Sequence, residues 1–254
     1  MIENNHEIIP GAGPFYYEGN SIGLLLIHGG GGGTCADLKL LAEDLNKIKG
    51  FTINVPLLPG FGTSPKNLRN TPISAWKNAL EREIYDLKNK CSRIIVGGHS
   101  MGGLLALILA GQYSFDAVFT ISSPVGIQRF LFKLVPFFKL FIKYHSINSD
   151  TFRDDTNGAW VGYDKIPLNI ATKVKKLMNE MKKSLNKVKC PAVLFQGCLD
   201  SEITKESMDY IYENISSSKK RKIWLKNNQH PILNSPDHPQ IVSELVNFIN
   251  EICI

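Results

Sequence analysis

The sequence predicts an α/β fold with a mostly parallel central sheet flanked by helices. Short apolar runs, typical of buried strands, alternate with longer segments whose apolar residues recur at helical spacing. This alternation is typical of a parallel sheet that is covered by helices on both faces. The chain has 254 residues, which is enough for one large domain with an insertion.

The predicted elements follow one another in a regular order from the N-terminus. They are strand 22–27, a helix through Leu38, Leu41, Leu45 and Ile48, strand 51–55, helix 74–90, strand 93–96, helix 104–110 and strand 117–121. After an interruption they continue with strand 192–195, a helix through Met208, Ile211 and Ile215, strand 222–225, and a helix through Ile241, Leu245, Phe248 and Ile252. Reactive groups in such sheets collect beyond the carboxyl ends of the strands.

The interruption between 122 and 190 is too long for an ordinary connection and has its own apolar content. We therefore predict that residues 1–122 and 190–254 form the α/β core. Residues 123–189 are predicted to form a small helical cap, or lid, inserted over the reactive edge of the sheet.

The segment around Ser100 carries the strongest chemical signal. It reads Gly98-His99-Ser100-Met101-Gly102 and lies between an apolar strand and an apolar helix. Gly-x-Ser-x-Gly in this setting is typical of a nucleophile elbow, a sharp turn that exposes the serine hydroxyl. The two glycines allow close packing of backbone around a strained serine. A glycine-serine turn without chemistry is the alternative interpretation.

A serine nucleophile needs a histidine base, which in turn needs a carboxylate to orient it. Asp200 and His230 follow two later strands, in the chain order expected with this elbow. We predict Ser100 as nucleophile, Asp200 as orienting acid and His230 as base. Glu202 is the alternative acid. His238 is the alternative base, and is predicted instead to cap the last helix at the surface.

The glycine run after the first predicted strand is the candidate for an oxyanion hole. The tetrahedral intermediate needs two backbone N–H donors, and we predict that Gly30 and Met101 supply them. A plain flexible loop is the alternative. The run lacks Gly-Lys-Ser/Thr and does not complete Gly-x-Gly-x-x-Gly, so nucleotide binding is not expected. No cofactor and no metal are predicted.

Charge and cysteine usage limit the partners and the compartment. The net charge is +6, with seven lysines and one acid in 173–189 and a second basic cluster at 219–222. These clusters are interpreted as solvated faces, or alternatively as attraction to an anionic membrane surface. No nucleic-acid motif accompanies them. Five cysteines without metal-type spacing and a polar start at 1–7 predict a cytoplasmic protein with reduced thiols.

These motifs resemble the α/β-hydrolase superfamily, in particular the short bacterial carboxylesterases and their monoacylglycerol-lipase relatives. The resemblance rests on the elbow and on His28-Gly29, Asp37-Leu38, Leu58–Gly62, Thr71–Trp76, Gly197–Asp200 and the late histidine. It implies the α/β-hydrolase fold with a small cap. It implies the same roles for Ser100, Asp200 and His230, with amides of Gly30 and Met101 as the oxyanion hole.

The function predicted from these features is that of a serine carboxylesterase, which hydrolyses esters of small to medium acyl chains through an acyl-enzyme. The alternatives are a monoacylglycerol lipase or lysophospholipase, a hydrolase of carbon–carbon bonds or a perhydrolase, and a non-catalytic ligand-binding member of the fold. A small ester is the expected partner, and the oligomeric state is not predicted.

An apolar substrate pocket is expected near the nucleophile. Its predicted lining residues are Gly29, Phe61, Val125, Phe130, Phe137, Phe138 and Phe141. The four phenylalanines of this set, together with Leu134, fall along one helical stripe within the predicted cap. That stripe is interpreted as packing the cap onto the core, as lining an acyl pocket, or as contacting lipid.

Overall fold

A computed structural model describes residues 7–128, 143–156 and 158–253 of the chain. The strands in this part are β1 (Phe15–Tyr17), β2 (Ile22–Ile27), β3 (Thr52–Val55), β4 (Arg93–His99), β5 (Ala117–Ile121), β6 (Tyr144–Ser146), β7 (Lys165–Pro167), β8 (Ala192–Gly197) and β9 (Lys220–Leu225). The helices are α1 (Ala36–Lys49), α2 (Pro65–Asn70), α3 (Ile73–Lys90), α4 (Met101–Ala110), α5 (Ser149–Asp155), α6 (Asn169–Ser184), α7 (Ser207–Asn214) and α8 (His238–Cys253). Short 3-10 turns follow at Leu185–Lys187 and Ile232–Asn234.

Seven of the described strands form one sheet in the order β1-β3-β2-β4-β5-β8-β9. Every neighbouring pair is parallel except β1 and β3, which are antiparallel. Strands β6 and β7 form a separate antiparallel pair inside the insertion. The predicted α/β class with a mostly parallel sheet is therefore confirmed.

The central strands β2, β3, β4, β5 and β8 are buried on both faces of the sheet, whereas the edge strands β1 and β9 are partly exposed. The side chains of the central strands alternate between the two faces. In β2, Leu25 and Ile27 belong to the apolar cluster under α3 and α4, whereas Leu24 and Leu26 belong to the cluster under α1 and α8. This alternation is the two-residue period of an extended strand. It explains why the sequence of β2 is a continuous apolar run rather than an amphipathic one.

Helix α4 is apolar or glycine at every position, and all ten of its residues are buried. Its partner on the side away from the sheet is α6, whose residues Leu177, Met178 and Met181 are buried in the same cluster. A helix that is apolar all round needs cover on all sides, and α6 supplies it. No helix in the described ranges is long and apolar enough to cross a membrane.

Lys173 ties α6 to the end of α2. Its ammonium donates hydrogen bonds to the backbone carbonyls of Leu68, Arg69 and Thr71, at 2.7, 3.2 and 2.6 Å. Burial lowers the pKa of Lys173 to about 8. Lys173 is thus an exception to the predicted solvated lysine face, because the last carbonyls of a helix need donors.

The division into a core and a cap over 123–189 stays a prediction. The four phenylalanines of the predicted stripe, Phe130, Phe137, Phe138 and Phe141, lie outside the described residues.

Candidate active site

Ser100 lies on a strained turn between β4 and α4. Its backbone angles are φ 51° and ψ −117°, a region that non-glycine residues rarely occupy. Its N–H donates to the carbonyl of Ile121 at 2.8 Å, which ties the turn to β5. A Cβ on Gly102 would overlap the carbonyl of Ile27, and a Cβ on Gly98 would overlap the backbone of Gly102. The two glycines are needed because strand and helix touch here.

The three residues of the predicted triad lie in one hydrogen-bonded series. Nε2 of His230 is 3.0 Å from Oγ of Ser100, and Nδ1 of His230 is 2.8 Å from Oδ2 of Asp200. Ser100, Asp200 and His230 follow β4, β8 and β9 respectively, at the carboxyl edge of the sheet. Parallel strands bring these three loops to the same edge, although they are far apart in the sequence.

Asp200 is held in place by its own loop. Its Oδ1 accepts hydrogen bonds from the N–H groups of Glu202 and Ile203, at 2.9 and 3.2 Å. Burial works against the charge of Asp200, but the hydrogen bond to His230 and these amides outweigh burial and lower the pKa of Asp200. Asp200 rather than Glu202 contacts the histidine, and Glu202 contributes a backbone N–H to the same site.

The Asp200 and His230 loops are joined by backbone hydrogen bonds. The N–H of Cys198 donates to the carbonyl of Leu225 at 2.9 Å, and the N–H of Leu199 donates to that of Asn228 at 3.0 Å. A Cβ on Gly197 would overlap the carbonyl of Asn228. These contacts fix the two loops relative to each other, which keeps the carboxylate beside the imidazole.

Gly30 and Met101 lie side by side next to the elbow. A Cβ on Gly30 would come within 3.0 Å of Cβ of Met101. Met101 is the first residue of α4, so its N–H has no partner within the helix. Gly29 also adjoins Ser100, since a Cβ on it would lie 3.7 Å from Cβ of Ser100. Their roles as oxyanion donors and pocket wall stay predictions.

The glycine loop is supported by residues of the insertion that the sequence analysis did not identify. The N–H of Tyr163 donates to the carbonyl of Gly32 at 3.2 Å. The hydroxyl of Tyr163 donates to the carbonyl of Gly60 and accepts from the N–H of Thr63, both at 2.8 Å. Tyr163 therefore fixes two glycine-containing turns near the elbow. No local pattern marks it, because its partners lie 100 or more residues away in the chain.

The remaining histidines of the core have structural partners. His28 accepts a hydrogen bond from the N–H of Leu58 at Nε2, and its Nδ1 donates to the carbonyl of Gly29. Burial lowers the pKa of His28, so the ring is neutral.

The prediction that His238 caps the last helix at the surface is wrong. His238 is 5% exposed, and its Nε2 lies 3.0 Å from Oδ2 of Asp44. The reason is that α8 packs against α1.

His99 precedes the nucleophile and points away from it. Its Nδ1 is 3.1 Å from Oδ2 of Asp37, and its Nε2 is 3.2 Å from the backbone carbonyl oxygen of His230. Asp37 is one of the residues that carry the family resemblance, but no sequence pattern paired it with His99. That contact depends on the packing of α1 beside the end of β4.

Two of the predicted pocket residues are described in addition to Gly29. The ring of Phe61 is 1% exposed and packs between His28, at 4.8 Å between ring centroids, and Trp76, at 5.6 Å. Val125 is half-buried just beyond β5, and its N–H donates to Oγ of Ser207 at 3.1 Å. Their contact with substrate stays a prediction.

Within the described ranges, no three His, Cys, Asp or Glu residues are grouped so as to hold a metal ion.

Comparison with known proteins supplies a family and several relatives. The model of the family Hydrolase_4, described as serine aminopeptidase S33, matches residues 19–237. The chain is 30% identical to a thermostable monoacylglycerol lipase of Bacillus sp. (strain H-257), over 97% of this chain and 98% of that protein. It is 22% identical to a carboxylesterase of Bacillus subtilis (strain 168), over 94% of this chain and 96% of that protein.

Solved structures with the same architecture extend the comparison. One belongs to the metagenome-derived lipolytic enzymes LipS and LipT, with a TM-score of 0.88 and 26% identity, covering 96% of this chain and all (100%) of that one. A second is the monoacylglycerol lipase of Paleococcus ferrophilus, with a TM-score of 0.75 and 20% identity, covering 93% of this chain and 98% of that one. The second likeness concerns the fold alone.

Proposed function

This chain belongs to the Hydrolase_4 family and has the α/β-hydrolase fold, and we propose that it is a carboxylic ester hydrolase that works through an acyl-enzyme on Ser100. The observation that carries the proposal is the hydrogen-bonded series from Ser100 through His230 to Asp200. A base within 3.0 Å of a serine hydroxyl, itself oriented by a buried carboxylate, is the arrangement that activates a serine nucleophile.

In the first half of the reaction, Nε2 of His230 accepts the proton of Ser100 while Oγ attacks the carbonyl carbon of the ester. The carbonyl oxygen becomes an oxyanion and turns toward the amides of Met101 and Gly30. The protonated His230 then gives its proton to the leaving alcohol oxygen, and the carbon–oxygen bond of the ester breaks. The acyl group remains on Ser100.

In the second half, water takes the place of the alcohol. His230 removes a proton from the water, whose oxygen attacks the acyl carbon, and the bond to Oγ of Ser100 breaks as His230 returns the proton to it. The carboxylic acid leaves. Asp200 stays ionised throughout, because its lowered pKa keeps the carboxylate charged, and it stabilises the positive charge that forms on His230.

We propose esters of small to medium acyl chains as the substrates, with Gly29, Phe61 and Val125 beside the acyl group. Monoacylglycerols are a second candidate class. The specific observation in their favour is the 30% identity to a monoacylglycerol lipase across nearly the whole of both chains. Lysophospholipids would require the same carboxylic ester chemistry with a charged alcohol portion.

The first experiment asks whether Ser100 is an activated nucleophile. We expect a fluorophosphonate probe to label the purified protein, and peptide mass analysis to place the adduct on Ser100, because only a serine with an aligned base reacts at an appreciable rate. Prior incubation with the probe is expected to abolish hydrolysis of p-nitrophenyl butyrate. Failure of both labelling and hydrolysis would favour the non-catalytic ligand-binding alternative.

The second experiment separates the two substrate classes. Values of kcat/KM are measured for p-nitrophenyl acetate, butyrate, octanoate and palmitate, and for the glycerol monoesters of the same acids. An optimum at butyrate or octanoate, shared by both series, is the result expected for an esterase of small to medium acyl chains. A clear preference for glycerol monopalmitate would contradict it and support the lipase. An amino acid p-nitroanilide serves as the amide control.

We also propose a cytoplasmic location and no nucleic-acid partner. All five cysteines are free, and burial raises the pKa of the Cys190 thiol to about 11, which keeps that thiol protonated and unreactive. Attachment to an anionic membrane through the basic clusters remains the alternative that the charge distribution raised.

A further inference from the structure

We propose that Asp37 and His99 form a positioning pair that holds the backbone of His230, so that its ring stays aligned with Ser100. The inference rests on the proposed function, since it concerns the base of that reaction. His99 hydrogen-bonds to the backbone carbonyl oxygen of His230, and the two imidazole rings pack with their centroids 5.2 Å apart. The ring nitrogens of His230 hydrogen-bond instead to Ser100 and Asp200, so His99 acts on the base without exchanging a proton with it.

The hydrogen bonds fix the protonation of the pair. A backbone carbonyl only accepts hydrogen bonds, so Nε2 of His99 carries a proton toward the carbonyl of His230. A carboxylate also only accepts, so the contact between Nδ1 of His99 and Asp37 needs a second proton on that ring. His99 is therefore an imidazolium paired with the Asp37 carboxylate.

The surroundings agree with this charge state. Both partners are largely buried, with side-chain exposures of 8% for His99 and 15% for Asp37. Burial works against the charge, but the hydrogen bond and the charge of Asp37 outweigh it and raise the pKa of His99. Charge-assisted hydrogen bonds are stronger than neutral ones, which suits a contact that has to hold a loop.

The backbone carbonyl oxygen of His230 accepts hydrogen bonds from two donors, which tie it to different parts of the structure. One is the N–H of Ile232 at 2.9 Å, which belongs to the same loop and moves with it. The other is His99, which ends β4 and directly precedes Ser100 in the chain. The second bond therefore fixes the base relative to the nucleophile, and Asp37 in the first turn of α1 fixes the ring that makes it.

The chain contains a matched control for this pair. His238 and Asp44 form another histidine–aspartate contact, at 3.0 Å, in which His238 is buried and Asp44 half-exposed, and Asp44 lies on the same helix α1 as Asp37. In the described part of the chain, neither His238 nor Asp44 hydrogen-bonds to a triad residue. Loss of this control pair removes the same kind of interaction from the fold without touching the base.

The test compares His99→Leu with His238→Leu, using kcat and KM for p-nitrophenyl butyrate, the rate of fluorophosphonate labelling and the Tm. We expect His99→Leu to lower kcat and the labelling rate by about 10- to 100-fold, with KM within about twofold of the wild type, because a misaligned base slows only the chemical step. His238→Leu is expected to lower the Tm by a similar amount and to keep kcat within about twofold.

A second pair of variants tests the positioning role of Asp37 and His99 if His99→Leu does not fold. Asp37→Asn preserves both hydrogen bonds, since its amide N–H donates to Nδ1 of a neutral His99 whose Nε2–H still reaches the carbonyl. We expect kcat of Asp37→Asn within about threefold of wild type, and kcat of Asp37→Leu reduced as in His99→Leu. Equal losses in the two Asp37 variants would overturn the inference.

The outcomes separate this inference from the proposed function. A wild type that neither hydrolyses esters nor reacts with the probe overturns both. An active wild type with an equally active, folded His99→Leu overturns the positioning role alone.

Discussion

Replacing Ser100 by alanine is expected to lower kcat for ester hydrolysis by about 10³-fold or more and to abolish fluorophosphonate labelling. The hydroxyl oxygen is the atom that the proposed acyl-enzyme is built on, so no neighbouring group can replace it. The fold should be unaffected, because the side chain of Ser100 makes no capping hydrogen bond to α4. Activity on p-nitrophenyl butyrate, intact mass after labelling and the Tm measure the three expectations.

Ser122 provides the matched control for this substitution. It is a buried serine with a positive φ of 48°, next to the residue whose carbonyl holds the Ser100 amide. Its hydroxyl has no hydrogen-bond partner within the described part of the chain. Ser122→Ala is expected to keep kcat within about twofold of wild type. Near-normal hydrolysis by Ser100→Ala, or a comparable loss in Ser122→Ala, would refute Ser100 as nucleophile.

Replacing Asp200 by asparagine is expected to lower kcat by about 10³- to 10⁴-fold while leaving the site nearly the same shape. The asparagine amide would donate to Nδ1 of His230, which forces the ring proton onto Nε2. That nitrogen then faces Ser100 as a donor and can no longer accept the hydroxyl proton. Steady-state kinetics and the labelling rate should fall together.

The control for Asp200→Asn is Glu202→Gln, which alters the alternative acid. Glu202 contributes its backbone N–H to Asp200, and the substitution leaves that group in place. We expect kcat within about threefold of wild type, in line with a change outside the reacting groups. A large loss in Glu202→Gln together with a mild effect in Asp200→Asn would exchange the two roles.

Asp200 also links stability to pH. Its pKa is lowered in the folded protein, so its contribution to stability is complete above the unfolded-state pKa of about 3.9 and is lost as the pH falls through the folded-state pKa. Asparagine does not titrate. The difference in free energy of unfolding between wild type and Asp200→Asn should therefore shrink as the pH is lowered below about 4, in denaturant titrations at several pH values.

The helices and strands were predictable because their signals are local. Apolar runs and helical spacing predicted α1, α3 and six of the seven described strands of the sheet to within a few residues; the short edge strand β1 was not predicted. The elbow was predictable because a strained serine between strand and helix requires small neighbours, and Gly98 and Gly102 satisfy this requirement. The strand order along the sheet was not predictable, because pairing depends on contacts between distant segments.

By itself, the sequence determined the fold class, the chemical groups of the candidate site and their order along the chain. These follow from residue type and short-range spacing. Only the tertiary structure decided which buried groups meet: His99 with Asp37 and with the carbonyl of His230, Tyr163 with two glycine turns, and Phe61 with the rings of His28 and Trp76. The physical reason is that a buried polar group must find a partner wherever packing places one, and the partners of His99 lie 62 and 131 residues away in the chain.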